Sequence, residues 1–234
     1  MALTDFQSYK FTFEEVCPTL EEMFTFLQLP KAEEEHPGNL FVNDILPELH
    51  TNGGITGGYR ILPVDEIRLK EGVAVIANTE LCLGRQVCGY IKKSTSMALF
   101  LCTAGDFFTQ MTDHYNQRGD LLEAFIVDAI GSMIVESAMD KIQESLLQDM
   151  QAAHLGISNR YSPGYCNWHL SEQKTLFQLI GENPIDVRLS ESCLMQPIKS
   201  VSGVIGIGEQ ITKSEYGCAT CNSEHCIYRR IKNR

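Results

Sequence analysis

Apolar residues recur at every fourth position from Leu122 to Met150, through Ile126, Ile130, Ile134, Ala138, Ile142 and Leu146, with Phe125, Ala129 and Met133 beside them. That stripe predicts one long amphipathic helix from Asp120 to about His154. Gly131 is a point where it would bend, and Gly156 is placed to stop it. Near the start of the chain, Thr19 followed by Glu22 fits a capping box. It opens a helix whose apolar face is Met23, Phe24 and Leu27 and which ends at Pro30. A second short helix is predicted from about Asn39 to Leu49, and residues 1–50 read as a helical, acidic N-terminal extension. Lys31 to Gly38, with three successive glutamates, His36 and Pro37, reads as a surface loop.

The period changes between residues 51 and 103. Glycines at 53, 54, 57, 58, 72, 84 and 89 punctuate short stretches such as Val73–Ile76 and Arg85–Ile91, which is the spacing of hairpins. Met97–Cys102 is a continuous apolar run that suits a fully buried strand, and Thr103 to Asp106 suits a strand-to-helix turn. After the long helix come a turn-rich segment, a shorter helix from about Ser171 to Ile180, and strands over 185–212.

Composition limits the partners. The 234 residues carry 19 Lys plus Arg against 30 Asp plus Glu, a net charge of −11, which disfavours non-specific binding to nucleic acid or an anionic membrane. No run approaches a membrane span, and the N-terminus lacks the basic-then-apolar pattern of a signal peptide. The expected location is the cytoplasm, where structural disulfides are rare. The charge is uneven: from Lys199 onward the balance is +3, leaving −14 on the rest. Of nine cysteines, three fall in Cys218-x-x-Cys221-x-x-x-x-Cys226 beside His225 and a Tyr-Arg-Arg, in a basic, Cys-rich tail at 213–234. Thiolates at this spacing can grip a zinc ion or part of an iron–sulfur cluster, with His225, Cys193 or Cys166 as further ligands, or remain free thiols with a redox role. The spacing leaves these alternatives open.

Three further segments carry candidate chemistry. In Arg160-Tyr-Ser-Pro-Gly-Tyr165, Pro163 and Gly164 force a turn that brings Arg160 and Tyr165 toward one place. An arginine fork suits a carboxylate, and a tyrosine adds a ring face and a hydroxyl. Glu136, Asp140 and Glu144 share one face of the long helix. For Glu136 and Asp140 the expectation is a solvated face, while one member of the row could receive an ammonium group. Leu189-Ser-Glu-Ser, Met195-x-Pro197 and Ser200-Val-Ser-Gly203 form a hydroxyl-rich strand, turn and strand. No nucleophile–base pair is evident.

In this order the segments, over about residues 120–210, resemble the activation (S-adenosylmethionine-binding) domain of cobalamin-dependent methionine synthase. The resemblance implies an α+β fold, a bent and twisted antiparallel sheet with flanking helices, occupying 51–212. It implies that Arg160 holds the methionyl carboxylate of S-adenosylmethionine. Ser162 and Gly164 would add main-chain contacts, Glu144 would take the α-ammonium, and Tyr165 would face cobalamin. The implied role is reactivation of a cobalamin methyltransferase, with an electron donor and S-adenosylmethionine restoring methylcobalamin.

Several positions depart from the family pattern. The turn continues Cys166-Asn167-Trp168-His169 in place of Pro-x-Cys-Pro, and Val204-Ile-Gly-Ile-Gly208 replaces an aromatic pair and a histidine. The three-cysteine tail stands outside the pattern. There is no Asp-x-His-x-x-Gly to supply a histidine to cobalt, since Asp113-His114 is followed by Tyr-Asn-Gln. Cobalamin is therefore expected on a partner, either a corrinoid protein or a methionine synthase lacking this domain, with the present chain as a stand-alone module. The rival readings are a redox or iron–sulfur accessory protein and a non-catalytic interaction domain with a vestigial groove.

Overall fold

The computed structural model describes residues 5–30, 35–49, 54–182 and 184–213. The chain opens with β1 (Gln7–Phe11) and the helices α1 (Phe13–Val16), α2 (Leu20–Leu27) and α3 (Pro37–Leu49). A long strand β2 (Ile55–Arg68), a hairpin of β3 (Val73–Ile76) and β4 (Thr79–Cys82), helix α4 (Gly84–Ile91) and strand β5 (Ser96–Thr103) follow. Next come α5 (Phe107–Arg118), the long α6 (Leu121–Ala152), β6 (Gly156–Tyr161), α7 (Gln173–Ile180), a small hairpin of β7 (Arg188–Leu189) and β8 (Met195–Gln196), and finally β9 (Ser200–Gly208).

The main sheet is antiparallel throughout, in the order β4-β3-β2-β5-β9-β6, with β1 also paired to β2. The first half of β2 pairs with β1 and β5 and its second half with β3. A bulge between Val64 and Glu66 separates the two halves and lets the strand change direction. This is the expected α+β class.

Helices cover both faces. The 32 residues of α6 cross one face, a span of about 48 Å. Ile130, Ile134, Ile142 and Leu146 pack there against Ile55, Tyr59, Phe100 and Ile205, and α1, α2, α3 and α5 close over the outside. On the other face α4 and α7 pack Val87, Ile91, Leu176 and Ile180 against Leu99, Leu101 and Val204. Every residue of β5 is buried, because the strand is central and its two faces meet different helix layers.

The predicted elements recur with specific differences. The capping box of α2 is present: Thr19 Oγ1 accepts from Glu22 N–H at 3.3 Å, and the Glu22 carboxylate accepts from Thr19 N–H at 2.8 Å. Residues 7–11, read as part of a helical region, are a strand, because β2 offers them a free edge. Arg85–Ile91, read as hairpin-forming, is the helix α4; Val87, Cys88 and Ile91 fall on one buried helical face. Gly131 does not interrupt α6. A Cβ there would lie 2.7 Å from Phe108 Cγ, so the glycine admits close packing of α5. The helix ends at Ala152 rather than at Gly156, which opens β6.

Candidate functional site

The site forms where α6 passes the edge strand β6. The pairing of β6 with β9 begins Gly156 to Gly208 and Ile157 to Ile207, then resumes Arg160 to Ile205 and Tyr161 to Val204. Ser158 and Asn159 together therefore lie opposite Gly206, a one-residue bulge. Side chains alternate faces along a strand, and an extra residue reverses every later assignment. With the bulge, Arg160 shares the α6 face with Ile205, and Tyr161 turns to the opposite face, where it stacks on Tyr90 at 5.5 Å and 12°.

On the α6 face, Arg160 meets the helix's acidic row. Its Nη2 donates to Glu136 Oε2 at 3.1 Å and pairs with Asp140 Oδ1 at 2.8 Å, with the arginine side chain only 14% exposed. Its Nη1 is buried and has no hydrogen-bond partner among the described residues. The expected solvated face holds for Asp140, 69% exposed, and in part for Glu136, 40% exposed, but both carboxylates also pair with the arginine. Burial raises the Glu136 carboxyl above its ordinary value; Arg160 opposes that shift and Asp140 adds to it.

Glu144 lies one turn beyond Asp140 and is exposed, its carboxylate accepting from Gln148 Nε2 at 3.3 Å. Asp140 and Glu144 line an open depression of about 540 Å³, together with Lys141, Gln143 and Lys213. Among the described residues the ion pairs of Arg160 go to Glu136 and Asp140, so Arg160 and Glu144 bracket Asp140 rather than touch.

The Pro-Gly turn leaves the end of β6. Ser162 C=O accepts from Tyr165 N–H at 3.2 Å, and Gly164, at φ +93°, donates its N–H to Trp168 C=O at 2.8 Å. The left-handed conformation favours glycine at position 164. Tyr165 stands at the tip, 68% exposed, whereas Trp168 is buried beneath the turn.

Two contacts escaped the sequence reading. Ser158 Oγ accepts from Gly206 N–H at 2.8 Å, and Gln143 Nε2 donates to Ser158 C=O at 3.4 Å. Their only trace in the sequence is the polar pair Ser158-Asn159 inside an otherwise strand-like stretch. Further along α6, Lys199 Nζ reaches Asp128 Oδ1 at 2.7 Å and Ser132 Oγ at 3.0 Å, so the polar row begins one turn before Ser132.

Cys102 in β5 and Cys88 in α4 are buried apolar groups, whereas Cys82 in β4 is exposed. Burial pushes the Cys102 thiol up to about 12 and the Cys88 thiol up to about 11, which keeps both protonated at neutral pH. Among the described residues no cluster of three or more His, Cys, Asp or Glu is placed to hold a metal ion. Cys218, Cys221 and Cys226, the candidate metal or cluster ligands, lie outside the described residues. No helix among the described residues is long and apolar enough to cross a membrane.

An antiparallel sheet crossed by one long helix, with an arginine re-aimed at that helix from a bulged edge strand, defines an α+β domain with a charged cluster where the helix passes its sheet edge. Residues 76–232 match the model of the vitamin B12 dependent methionine synthase activation domain, and the chain belongs to that family. The match extends beyond residues 120–210 in both directions and runs through the cysteine-rich stretch, which the sequence reading had set outside the pattern. Among solved structures, the fold is similar to that of the MetH reactivation domain bound to AdoHcy. The TM-score is 0.63 at 16% identity, covering 90% of this chain and 80% of that one. No curated protein matches the chain.

Proposed function

We propose that this chain binds S-adenosylmethionine where α6 passes β6, between Arg160 and the depression lined by Asp140 and Glu144. In this reading it serves the reductive remethylation of a cobalamin carried by a partner, a cytoplasmic corrinoid protein or a methionine synthase lacking this domain. The observation that carries the reading is Arg160, held by two carboxylates through one nitrogen and with a second, buried nitrogen still lacking an acceptor. A buried donor without an acceptor is costly, and a ligand carboxylate would satisfy it. The amino-acid end of S-adenosylmethionine also carries an ammonium group, and its sulfonium adds a second positive charge. Asp140 and Glu144, lining the depression beside Arg160, suit those charges.

In this assignment Arg160 orients the methionyl carboxylate and Glu144 takes the ammonium group. Ser162 and Gly164 shape the wall through the turn they close, and the exposed Tyr165 meets the partner's corrin. Cobalamin supplies the methyl-accepting cobalt, and an electron-donor protein supplies the electron. The neighbouring reactivation domain, crystallised with AdoHcy, supports this class of ligand.

Calorimetry with S-adenosylmethionine and with S-adenosylhomocysteine tests the proposal. Wild-type protein is expected to bind both, and Arg160→Ala to lose roughly ten- to a hundred-fold in affinity, the usual cost of one charge-assisted contact. No binding by wild type, or full affinity in the variant, rejects it. A second reading, a metal or iron–sulfur redox role for Cys218, Cys221 and Cys226, draws on their spacing and on the family match running through them. Metal analysis after anaerobic purification decides that one.

A further inference from the structure

The position of Arg160 depends on the bulge, and the bulge depends on one hydroxyl. In a regular ladder with β9, a strand that places Ile157 toward α6 places residues 159 and 161 there too, and sends Arg160 to the opposite face. Arg160 and Tyr161 would then exchange environments. The guanidinium would enter the apolar layer of Val204 and Tyr90, and the phenol would face Glu136 and Asp140. The observed pairing avoids this by fitting Ser158 and Asn159 opposite Gly206.

A bulge interrupts the ladder and strands main-chain groups that would otherwise pair. Here the stranded donor is Gly206 N–H, and its acceptor is the Ser158 hydroxyl oxygen at 2.8 Å. The hydroxyl proton goes on to Asn159 C=O at 2.7 Å, which closes the bulge on itself. From the helix side, Gln143 Nε2 donates to Ser158 C=O. Ser158, Gln143 and Gly206 are all buried, so no solvent replaces these partners. Gln143 also lines the depression with Asp140 and Glu144, so the bulge is anchored to the same stretch of α6 that Arg160 addresses.

We propose that Ser158 is a positioning residue for the ligand groove: its side chain takes the place of a main-chain acceptor in the β6–β9 ladder and so holds Arg160 on the α6 face. Alanine at 158 leaves Gly206 N–H buried without an acceptor and removes the reason for the bulge. Serine is the smallest side chain that supplies both an acceptor and a donor, which suits a short hydroxyl to this strand. The proposal rests on the ligand-binding reading only for its functional consequence; the geometric part stands on the strand pairing alone.

The test compares Ser158→Ala with Ser202→Ala, a control that removes another buried hydroxyl, the Ser202–Gln173 contact at 3.1 Å, from the same sheet. Two readouts separate positioning from mere stability: amide hydrogen exchange at Gly206, and the NMR signal of the Arg160 guanidinium. Ser158→Ala is expected to speed Gly206 exchange about ten-fold or more. It should also shift the Arg160 signal and weaken S-adenosylmethionine binding by about ten-fold or more. Ser202→Ala should leave all three near wild type, and Ser158→Thr should restore Gly206 protection. Unchanged Gly206 exchange and an unchanged Arg160 signal in Ser158→Ala overturn the proposal. If wild type binds no S-adenosylmethionine, the functional reading fails, while the exchange and NMR measurements still decide the role of Ser158.

Discussion

Lys199 and Asp128 form an ion pair, Nζ to Oδ1 2.7 Å, in which the lysine side chain is 9% exposed and the aspartate 51% exposed. The pair ties the start of β9 to the first turns of α6, at the end of the polar row that continues to Arg160. Its asymmetry makes its two halves unequal. Removing the lysine leaves an aspartate that water can reach, and Lys199→Ala should cost about 1–2 kcal/mol. Asp128→Ala instead leaves a buried ammonium with only Ser132 beside it and should cost about 2–4 kcal/mol. Urea unfolding of both variants checks the order, and equal losses would contradict it.

Glu136 carries a pH signature. Burial raises its folded-state value, so the folded protein holds the proton more tightly than the unfolded chain does. Folding stability from this group is therefore greatest at low pH and falls as pH rises from the ordinary carboxylate range through the folded value. Glu136→Gln removes the slope. The variant's stability relative to wild type should improve as pH rises from the ordinary carboxylate range through the folded value of Glu136, and then level off. A difference that stays constant across that range would show that Glu136 titrates as an ordinary carboxylate.

Gly131 is a packing residue despite its poor helix propensity. Alanine would gain up to about 1 kcal/mol of propensity but would set a methyl group 2.7 Å from Phe108 Cγ. Overpacking of this kind costs about 1–3 kcal/mol, so a net loss is expected. Pairing Gly131→Ala with Phe108→Leu should recover part of it in thermal unfolding. A stabilised single variant would mean that α5 moves aside freely.

Thr19 tests the N-terminal helices. Its hydroxyl and Glu22 satisfy two orphan donors of α2, and their hydrogen bonds hold the Glu22 carboxyl below its ordinary value. Thr19→Ala should cost about 0.5–2 kcal/mol. The depressed value means that this contribution is present above the ordinary carboxylate range and is lost as pH falls through the folded value. Chemical denaturation at neutral and acidic pH should show the variant converging on wild type in acid.

What the sequence reveals follows the range of the interaction. The four-residue stripe from Leu122 to Met150, the Thr19–Glu22 box and the apolar run of β5 are local patterns, and each appears as read. A second capping box, at Thr12 and Glu15, obeys the same rule and went unread only because α1 is a single turn. Residues 85–91 misled because Val87 and Ile91, four apart, share a face at either period, whereas Cys88 joins them only in a helix. At the site, Arg160 was legible from the turn that follows it, but its partners were not. The face Arg160 occupies depends on a bulge that forms only against β9, some 45 residues away in sequence, so the partner of the Ser158 hydroxyl cannot be read from β6 by itself. The same holds for Val204-Ile-Gly-Ile-Gly208. A Cβ on Gly206 would meet Ser94 Oγ at 2.3 Å, and one on Gly208 would meet Lys93 C=O at 2.7 Å, contacts that only the assembled sheet creates.

The chain contains one tryptophan, Trp168, and it is 1% exposed beneath the turn that carries Ser162, Gly164 and Tyr165. Its main-chain carbonyl closes that turn and its ring belongs to the core on the α7 side. Intrinsic emission excited at the indole band therefore originates from one place. Anything that loosens or tightens the turn changes its intensity without interference from the rest of the molecule. The protein carries its own optical probe beneath the turn that follows the strand of Arg160.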